Sequence, residues 1–388
     1  MVLDTAWDAL GPEYRLVYEA ALEFARAEFG ASAAEDDERD HWSDDPWPKL
    51  ARAGYLGIAI PEAYGGSGGD YLSAALVCQA LSRVSPALGL SYGAHLNLVA
   101  HNLLRNGTEI QKRRWLPALC SGERIGALGI TEPGAGSDAM GITTRADASG
   151  ADFILHGSKM FVTNGPIADF MIVYTKTEPS AGKRGISAFC LDLPAPGFSV
   201  SRKLDKVGMR GSPTGEITFS QTPVPRENLL GELNQGYRVV MSGLDLERAF
   251  YAFLAVGVAE EALALGLRYS QEREQFGEKI SNFQLIQAKL ADMFVAVMSS
   301  RLMALEAMRL VLADRRCSKE AAAALLYTSE SAQRTVDMAL QIHGGYGYCK
   351  EYAIQRLWRD ARLGTIGAGT SEIRRLIIAR ELLGVRGR

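Results

Sequence analysis

The segment Asn282–Asp314, NFQLIQAKLADMFVAVMSSRLMALEAMRLVLAD, runs without a glycine or a proline. Phe283, Ile286, Leu290, Met293 and Val297 recur in it at intervals of three and four, so they share one face of an α-helix. A second uninterrupted segment, Ser318 to Ile342, stops at His343-Gly344-Gly345, where glycine can end a helix. Two long amphipathic helices in succession fit a helical bundle, and residues 237–388 are expected to form one of four-helix type.

Upstream the texture changes twice. Between residues 125 and 236, the runs Phe153-Ile154-Leu155, Met171-Ile172-Val173-Tyr174 and Ile217-Thr218-Phe219 are separated by Gly, Pro, Asp and Ser. This spacing predicts a small β-domain. Residues 1–124 are rich in Ala, Leu, Glu and Arg and are broken by Pro61-Glu62-Ala63-Tyr64-Gly65-Gly66-Ser67-Gly68-Gly69. They read as helices around a glycine-rich loop. The chain is therefore expected to be an α+β multidomain protein in the order helical, β, helical.

With 388 residues, more than one domain is the sensible expectation. Net charge is −3 and no basic run is long enough for a nucleic-acid footprint. No stretch of about 18 apolar residues is read in the chain, so no segment is expected to span a membrane. The start, Met1-Val2-Leu3-Asp4-Thr5, shows neither a signal-peptide core nor an Arg-rich leader. The five cysteines are scattered and contain no CxxC pair, which reads as reduced thiols in a cytoplasmic protein. Of the five histidines only His95 and His101 approach ligand spacing, and they make no metal site alone.

Three groups of residues carry chemistry. Leu128-Gly129-Ile130-Thr131-Glu132-Pro133-Gly134-Ala135-Gly136-Ser137-Asp138 offers bare backbone N–H groups and hydroxyls to a planar ligand, although taken alone it makes a plain connecting loop as readily. Lys159-Met160-Phe161-Val162-Thr163-Asn164-Gly165 ends a strand-like run. Arg273-Glu274-Gln275-Phe276-Gly277, Phe283-Gln284 and Gln341-Ile342-His343-Gly344-Gly345 combine an arginine suited to phosphate with glycines that allow close approach.

These motifs, in this order along nearly the entire chain, closely resemble those of the acyl-CoA dehydrogenase family, in its isovaleryl-CoA dehydrogenase-like branch. The resemblance implies FAD as cofactor. By position in the family, Leu128, Ile130, Thr131, Gly136, Ser137, Phe161, Val162 and Thr163 face the flavin, with Phe161 where tryptophan is usual. Arg273, Phe276, Gln284, Gln341, Gly344 and Gly345 meet the adenine and pyrophosphate half, mostly from a neighbouring subunit. Thr370, Ser371 and Glu372 lie on the cofactor side of Gly367-Ala368-Gly369-Thr370-Ser371-Glu372.

That last motif has Ala368 where most members carry the catalytic glutamate. Asp245-Leu246-Glu247-Arg248 resembles the alternative base site of the isovaleryl branch, which makes Glu247 the expected base. A carboxylate in an apolar, water-poor pocket becomes a better base for a proton α to a thioester. The β-hydrogen then leaves as hydride to flavin N5. Asp245 and Arg248 are expected to position. The Ala368 N–H and a flavin hydroxyl would polarise the thioester carbonyl.

Ser137, Lys183, Arg184, Ala368 and Gly369 are expected along the substrate. Tyr251 and Gly364, where isovaleryl enzymes commonly have Leu and Tyr, should reshape the acyl cavity. The resemblance further implies a short or medium acyl-CoA substrate, a homo-oligomer, tetrameric in form, and electron-transfer flavoprotein as acceptor. A carrier-protein-tethered acyl group, as in secondary-metabolite pathways, is the alternative. An oxidase or a binding homologue without catalysis also stays open.

Overall fold

In the computed structural model, residues 10–385 are described; the reading of Met1 to Thr5 lies outside them. Seven helices come first: α1 (Pro12–Phe29), α2 (Ala33–Arg39), α3 (Pro46–Arg52), α4 (Tyr71–Val84), α5 (Pro86–Gly93), α6 (His101–Asn106) and α7 (Glu109–Cys120). A π-helical turn, Ala94–Ala100, joins α5 to α6. Strands β1 (Gly126–Gly129), β2 (Arg145–Ser149), β3 (Asp152–Thr163), β4 (Phe170–Lys176), β5 (Ile186–Asp192), β6 (Phe198–Lys203), β7 (Thr214–Val224) and β8 (Leu229–Leu230) follow. The remaining helices are α8 (Gly236–Glu272), α9 (Gln284–Leu312), α10 (Ser318–His343), α11 (Ala353–Ala361) and α12 (Ser371–Leu383). The expected helical, β, helical order is present, and α9 and α10 occupy the segments whose periodicity announced them.

The strands form one sheet in the order β6-β7-β3-β2-β4-β5-β8, with β1 added parallel to β4. The sheet's two faces bury different cores. Met171, Val173, Phe189 and Leu191 join a core internal to the β-domain. Their neighbours Phe170, Ile172, Tyr174 and Cys190 pack with the helices instead. Period-two alternation on β4 and β5 therefore ties the β-domain to the helical layers.

One feature welds the helices to this sheet, and another binds the helices to each other. His95 in the π-helical turn accepts a hydrogen bond at Nδ1 from the Gly126 N–H at 3.0 Å, and its Nε2 lies 3.0 Å from the Leu119 carbonyl. A ring that accepts at one nitrogen and donates at the other is neutral, and burial pushes its pKa down to about 4. Deeper in the helices, Glu260 of α8 accepts from Tyr18 of α1 at 2.7 Å and pairs with Arg301 of α9 at 2.8 Å.

Helix α8 corrects one expectation. An 18-residue window within it reaches a mean hydropathy of 1.6, enough by length and composition to cross a membrane. Yet 78% of that window is buried among the protein's own helices. Its apolarity serves the centre of a bundle, where a helix is covered on nearly every side.

Candidate active site

The platform for a planar ligand is built at the ends of β1 and β3. Along β1, Ala127 and Gly129 are buried while Leu128 and Ile130 are half-exposed and pack toward the helices. The Met160 N–H donates to the Thr131 carbonyl at 2.8 Å, fastening the two strand ends together. Gly136 and Ser137 are exposed, and a Cβ built on Gly134 or Gly136 meets nothing within 4 Å, so the loop leaves open space for a ligand.

A buried ion pair holds this loop from below. Lys159 Nζ lies 2.7 Å from Glu132 Oε1 and donates to the Ile130 carbonyl at 3.1 Å. Glu132 also accepts from the Thr143 and Thr144 N–H groups at 2.6 and 2.9 Å. Burial pushes the Glu132 carboxyl up, but Lys159 and the threonines outweigh it and hold it at about 2.

Phe161 is placed by a bulge. The β3–β7 register shifts between Lys159 and Val162, and Phe161 takes φ +57° and is 67% exposed. Such a bulge turns a side chain out of the pleat, leaving an aromatic face for the flavin. Val162, expected beside the cofactor, instead sends its side chain into the β-domain core, because strand alternation points it the other way. Only its backbone is left for a ligand. Thr163 is half-buried at the strand end.

Glu247 lies on α8, half-buried, between two buried arginines. Burial pushes its carboxyl pKa up, and Arg248 and Arg374 partly offset that. Arg248 Nη1 lies 3.2 Å from Asp245 Oδ1, and Ser318 donates to Asp245 Oδ2 at 2.6 Å. Asp245 thus positions Arg248 and is engaged on both oxygens. Tyr251 follows Glu247 by one turn and so shares its face. Its ring packs on Gly93 of α5, where a Cβ would sit 2.9 Å from the ring. Tyr174 of β4 approaches the same carboxylate and accepts from Asn102 at 3.0 Å.

The C-terminal motif closes this pocket. Ala368 and Gly369 have φ of +53° and +85°, a conformation that a residue with a Cβ rarely adopts. Thr370 caps α12 by accepting from the Ile373 N–H at 3.3 Å. Ser371 is buried, which removes its side chain from a cofactor-facing role, while Glu372 is exposed in the first turn. Gly364 also departs from expectation. A Cβ there would lie 3.2 Å from Ser329 Oγ, so the position faces α10, and its bareness lets the turn pack there instead of opening the acyl cavity.

The remaining expected residues fall elsewhere. Lys183 and Arg184 are exposed on the turn Pro179–Gly185 between β4 and β5. Arg273, Gly344 and Gly345 line a cavity of about 430 Å³ with Gln275, Tyr269 and Tyr346. The Arg273 guanidinium lies 5.4 Å from the Tyr346 ring centre, and a Cβ on either glycine meets nothing within 4 Å. Phe276 is 94% exposed at the tip of a hairpin, and Gln284 and Gln341 are also exposed. An open glycine cradle with a waiting cation suits a diphosphate, and the exposed ring at Phe161 suits an isoalloxazine. The donor set therefore fits FAD.

The comparisons agree along the whole chain. Models of the acyl-CoA dehydrogenase N-terminal, middle and C-terminal domains match residues 11–123, 127–222 and 234–383. Mitochondrial isovaleryl-CoA dehydrogenase of Solanum tuberosum is 44% identical over 366 residues, covering 94% of this chain and 89% of that protein. A chain from a structural study of the electron transferring flavoprotein of Acidaminococcus fermentans superposes with TM-score 0.95 at 39% identity, covering 96% of this chain and 98% of that one. Butyryl-CoA dehydrogenase from Megasphaera elsdenii superposes with TM-score 0.93 at 36% identity, covering 95% and 98%. The chain belongs to the acyl-CoA dehydrogenase family. It is an FAD-dependent oxidoreductase that dehydrogenates acyl thioesters.

Sequence reading missed Glu132, Lys159, Gly93, Tyr174 and Arg374. For Arg374 a signal existed: it shares a helix face with Ile377, Ile378 and Glu381 and must turn inward with them. For the others nothing local announced a role.

Glu132→Gln should loosen the 130–138 loop. It strands Lys159 in the interior, a loss of about 3–5 kcal/mol for a broken buried pair, with weaker FAD retention read by flavin absorbance. The folded carboxyl lies below its ordinary 4.5, so its contribution is full above that pH and lost as pH falls toward about 2. Acid titration of thermal stability should therefore lose that step in the variant.

Proposed function

We propose that Glu247 removes the α-proton of a short aliphatic acyl-CoA whose thioester carbonyl is bound by the Ala368 N–H. The observation that carries this reading is a carboxylate on the long central helix α8, with its pKa raised by burial, where the C-terminal motif offers only alanine. A raised pKa strengthens the base without silencing it, because Arg248 and Arg374 oppose the full effect of burial. No hydrogen bond within the described residues occupies the Ala368 N–H, so it is free to meet developing negative charge. Bound FAD supplies the hydride acceptor.

The tether is assigned to coenzyme A, in keeping with the isovaleryl-CoA and butyryl-CoA relatives. Lys183 and Arg184 are assigned to its nucleotide end and Ser137 to its pantetheine arm. An electron-transferring flavoprotein is the proposed acceptor, in line with the A. fermentans structure. The five free thiols, four of them buried, support a reducing compartment, proposed as the cytoplasm.

A homo-oligomer, proposed as a tetramer, is supported by distance. Glu247 and Arg273 stand at opposite parts of α8, about 39 Å apart at 1.5 Å per residue. That exceeds the span of one dinucleotide, which supports a reading in which the flavin and diphosphate sites of a single chain serve different FAD molecules. Exposed Leu285, Val295 and Leu302 on α9 give a second copy an apolar face to cover.

Three measurements follow. Glu247→Gln should retain FAD and bind thioester while slowing anaerobic flavin bleaching by about 10²-fold or more; rapid bleaching in this variant would assign the base elsewhere. In wild type, the acid limb of that rate should lie above the ordinary carboxyl range.

Arg273→Ala should lower both FAD retention and thermal stability, since a ligand stabilises only the state that binds it. A solution monomer holding stoichiometric FAD would rule out the shared site.

Tyr251→Leu should widen the acyl cavity. Preference between isovaleryl-CoA and straight-chain thioesters should shift by roughly 10- to 200-fold, the scale of a methylene-sized change in an apolar pocket. Unchanged kcat/KM ratios would remove Tyr251 from the cavity wall.

A further inference from the structure

We infer that Arg374 is a positioning residue for the dehydrogenation, holding the carbonyl-binding segment at Ala368 and the base Glu247 in register through one buried guanidinium. The inference rests on the assignment of Glu247 as the base.

The geometry is a fork across two chain segments. Arg374 is fully buried on α12. Its Nη1 donates to the Gly364 carbonyl at 2.9 Å and, more distantly, to the Leu325 carbonyl and Ser329 Oγ of α10 at 3.4 Å. Its Nη2 donates to the Gly367 carbonyl. The residue immediately after that carbonyl is Ala368, held at φ +53° against the preference of any residue with a Cβ. A left-handed alanine persists only where its surroundings fix it, and the fork binds the peptide group that carries the Ala368 N–H. Planar guanidinium suits two carbonyls at once; an ammonium cannot reproduce that span.

The charge has a second use. Among the described residues no carboxylate comes within ion-pair distance of Arg374, and its Nε is buried without a partner. Burying an unpaired cation is costly, and this one stands beside a second buried arginine. Burial and Arg248 push the Arg374 pKa down to about 10, while Glu247, Glu330 and Glu372 resist. The groups facing Glu247 are Arg248 and Tyr251 on its own helix, Tyr174 on β4 and Arg374 on α12. Glu330 of α10 is engaged by Arg375 at 2.6 Å, and Glu372 is exposed. Arg374, together with Arg248, therefore balances Glu247 before proton transfer. When the α-proton moves to the carboxylate, the negative charge passes to the thioester oxygen at Ala368, beside the same guanidinium.

The test compares FAD-loaded wild type, Arg374→Gln, Arg374→Lys and Glu247→Gln. Anaerobic bleaching with isovaleryl-CoA is followed across pH. Separately, the infrared carbonyl stretch of bound 3-methylcrotonyl-CoA reports polarisation without turnover. Arg374→Gln should slow bleaching by about 10²-fold, the scale of a misplaced reacting geometry. It should also move the acid limb to higher pH, because a cation favouring the carboxylate is gone. Arg374→Lys should keep the acid limb in place and still bleach about 10-fold slowly. In both variants the carbonyl stretch should return toward its value in free ligand. A slower Arg374→Gln with an unmoved acid limb and an unmoved stretch would make the residue merely structural and overturn the inference. Failure of Arg374→Gln to fold passes the decision to Arg374→Lys, where a wild-type rate and stretch, or loss of folding here too, overturns it. Fast bleaching in Glu247→Gln is a different outcome and sinks the base assignment instead.

Discussion

The structure depends on keeping a carboxylate on its long central helix, whose apolar stretch is mostly buried. Helix α8 must be hydrophobic enough to be covered by α4, α9 and α10, and it must also carry Glu247 on one face. Arg248 and Arg374 make this tolerable without forming a tight ion pair, which would have held the carboxyl down and spent its basicity. Burial raises the base and two arginines restrain it. Such a balance is available only where helices from both ends of the chain converge.

The cofactor platform solves a different problem, that of holding irregular backbone still. The 130–138 loop is nearly bare of side chains that could pack, so its order comes from beneath. Glu132 and Lys159, both buried, tie the loop to the strand that ends in the Phe161 bulge. One ion pair thus sets the spacing between the 130–138 loop and the aromatic face. The cost of burying two charges is offset by the four polar partners they share.

Stiffness links the two halves of the site to assembly. An unbroken helix from Gly236 to Glu272 fixes the separation of Glu247 and Arg273 as a ruler would. Neither end can swing toward the other, which is the ground for the proposed assembly. The exposed hydrophobic face of α9 is consistent with that need.

Much was legible in the sequence because it depended on local rules. Glycine-free periodic runs announced α9 and α10, since a helix is specified by its own spacing. The base at Glu247 was legible through resemblance in motif, given that Ala368 cannot do the work. Other features depended on partners distant in the chain. Val162 and Ser371 sit inside motifs that face the cofactor, yet strand alternation and the α12 cap turn their side chains into the core. Gly364 looked like space in an acyl wall, but only its neighbour Ser329 reveals that it faces α10. The membrane-like apolarity of α8 became a buried core only once other helices covered it. The sequence by itself determined the element order and the motifs, and through resemblance it named Glu247 as the candidate base. Tertiary structure alone decided which side chains meet Glu247, because burial and the arrangement of charge are set by residues that come together only when the chain folds.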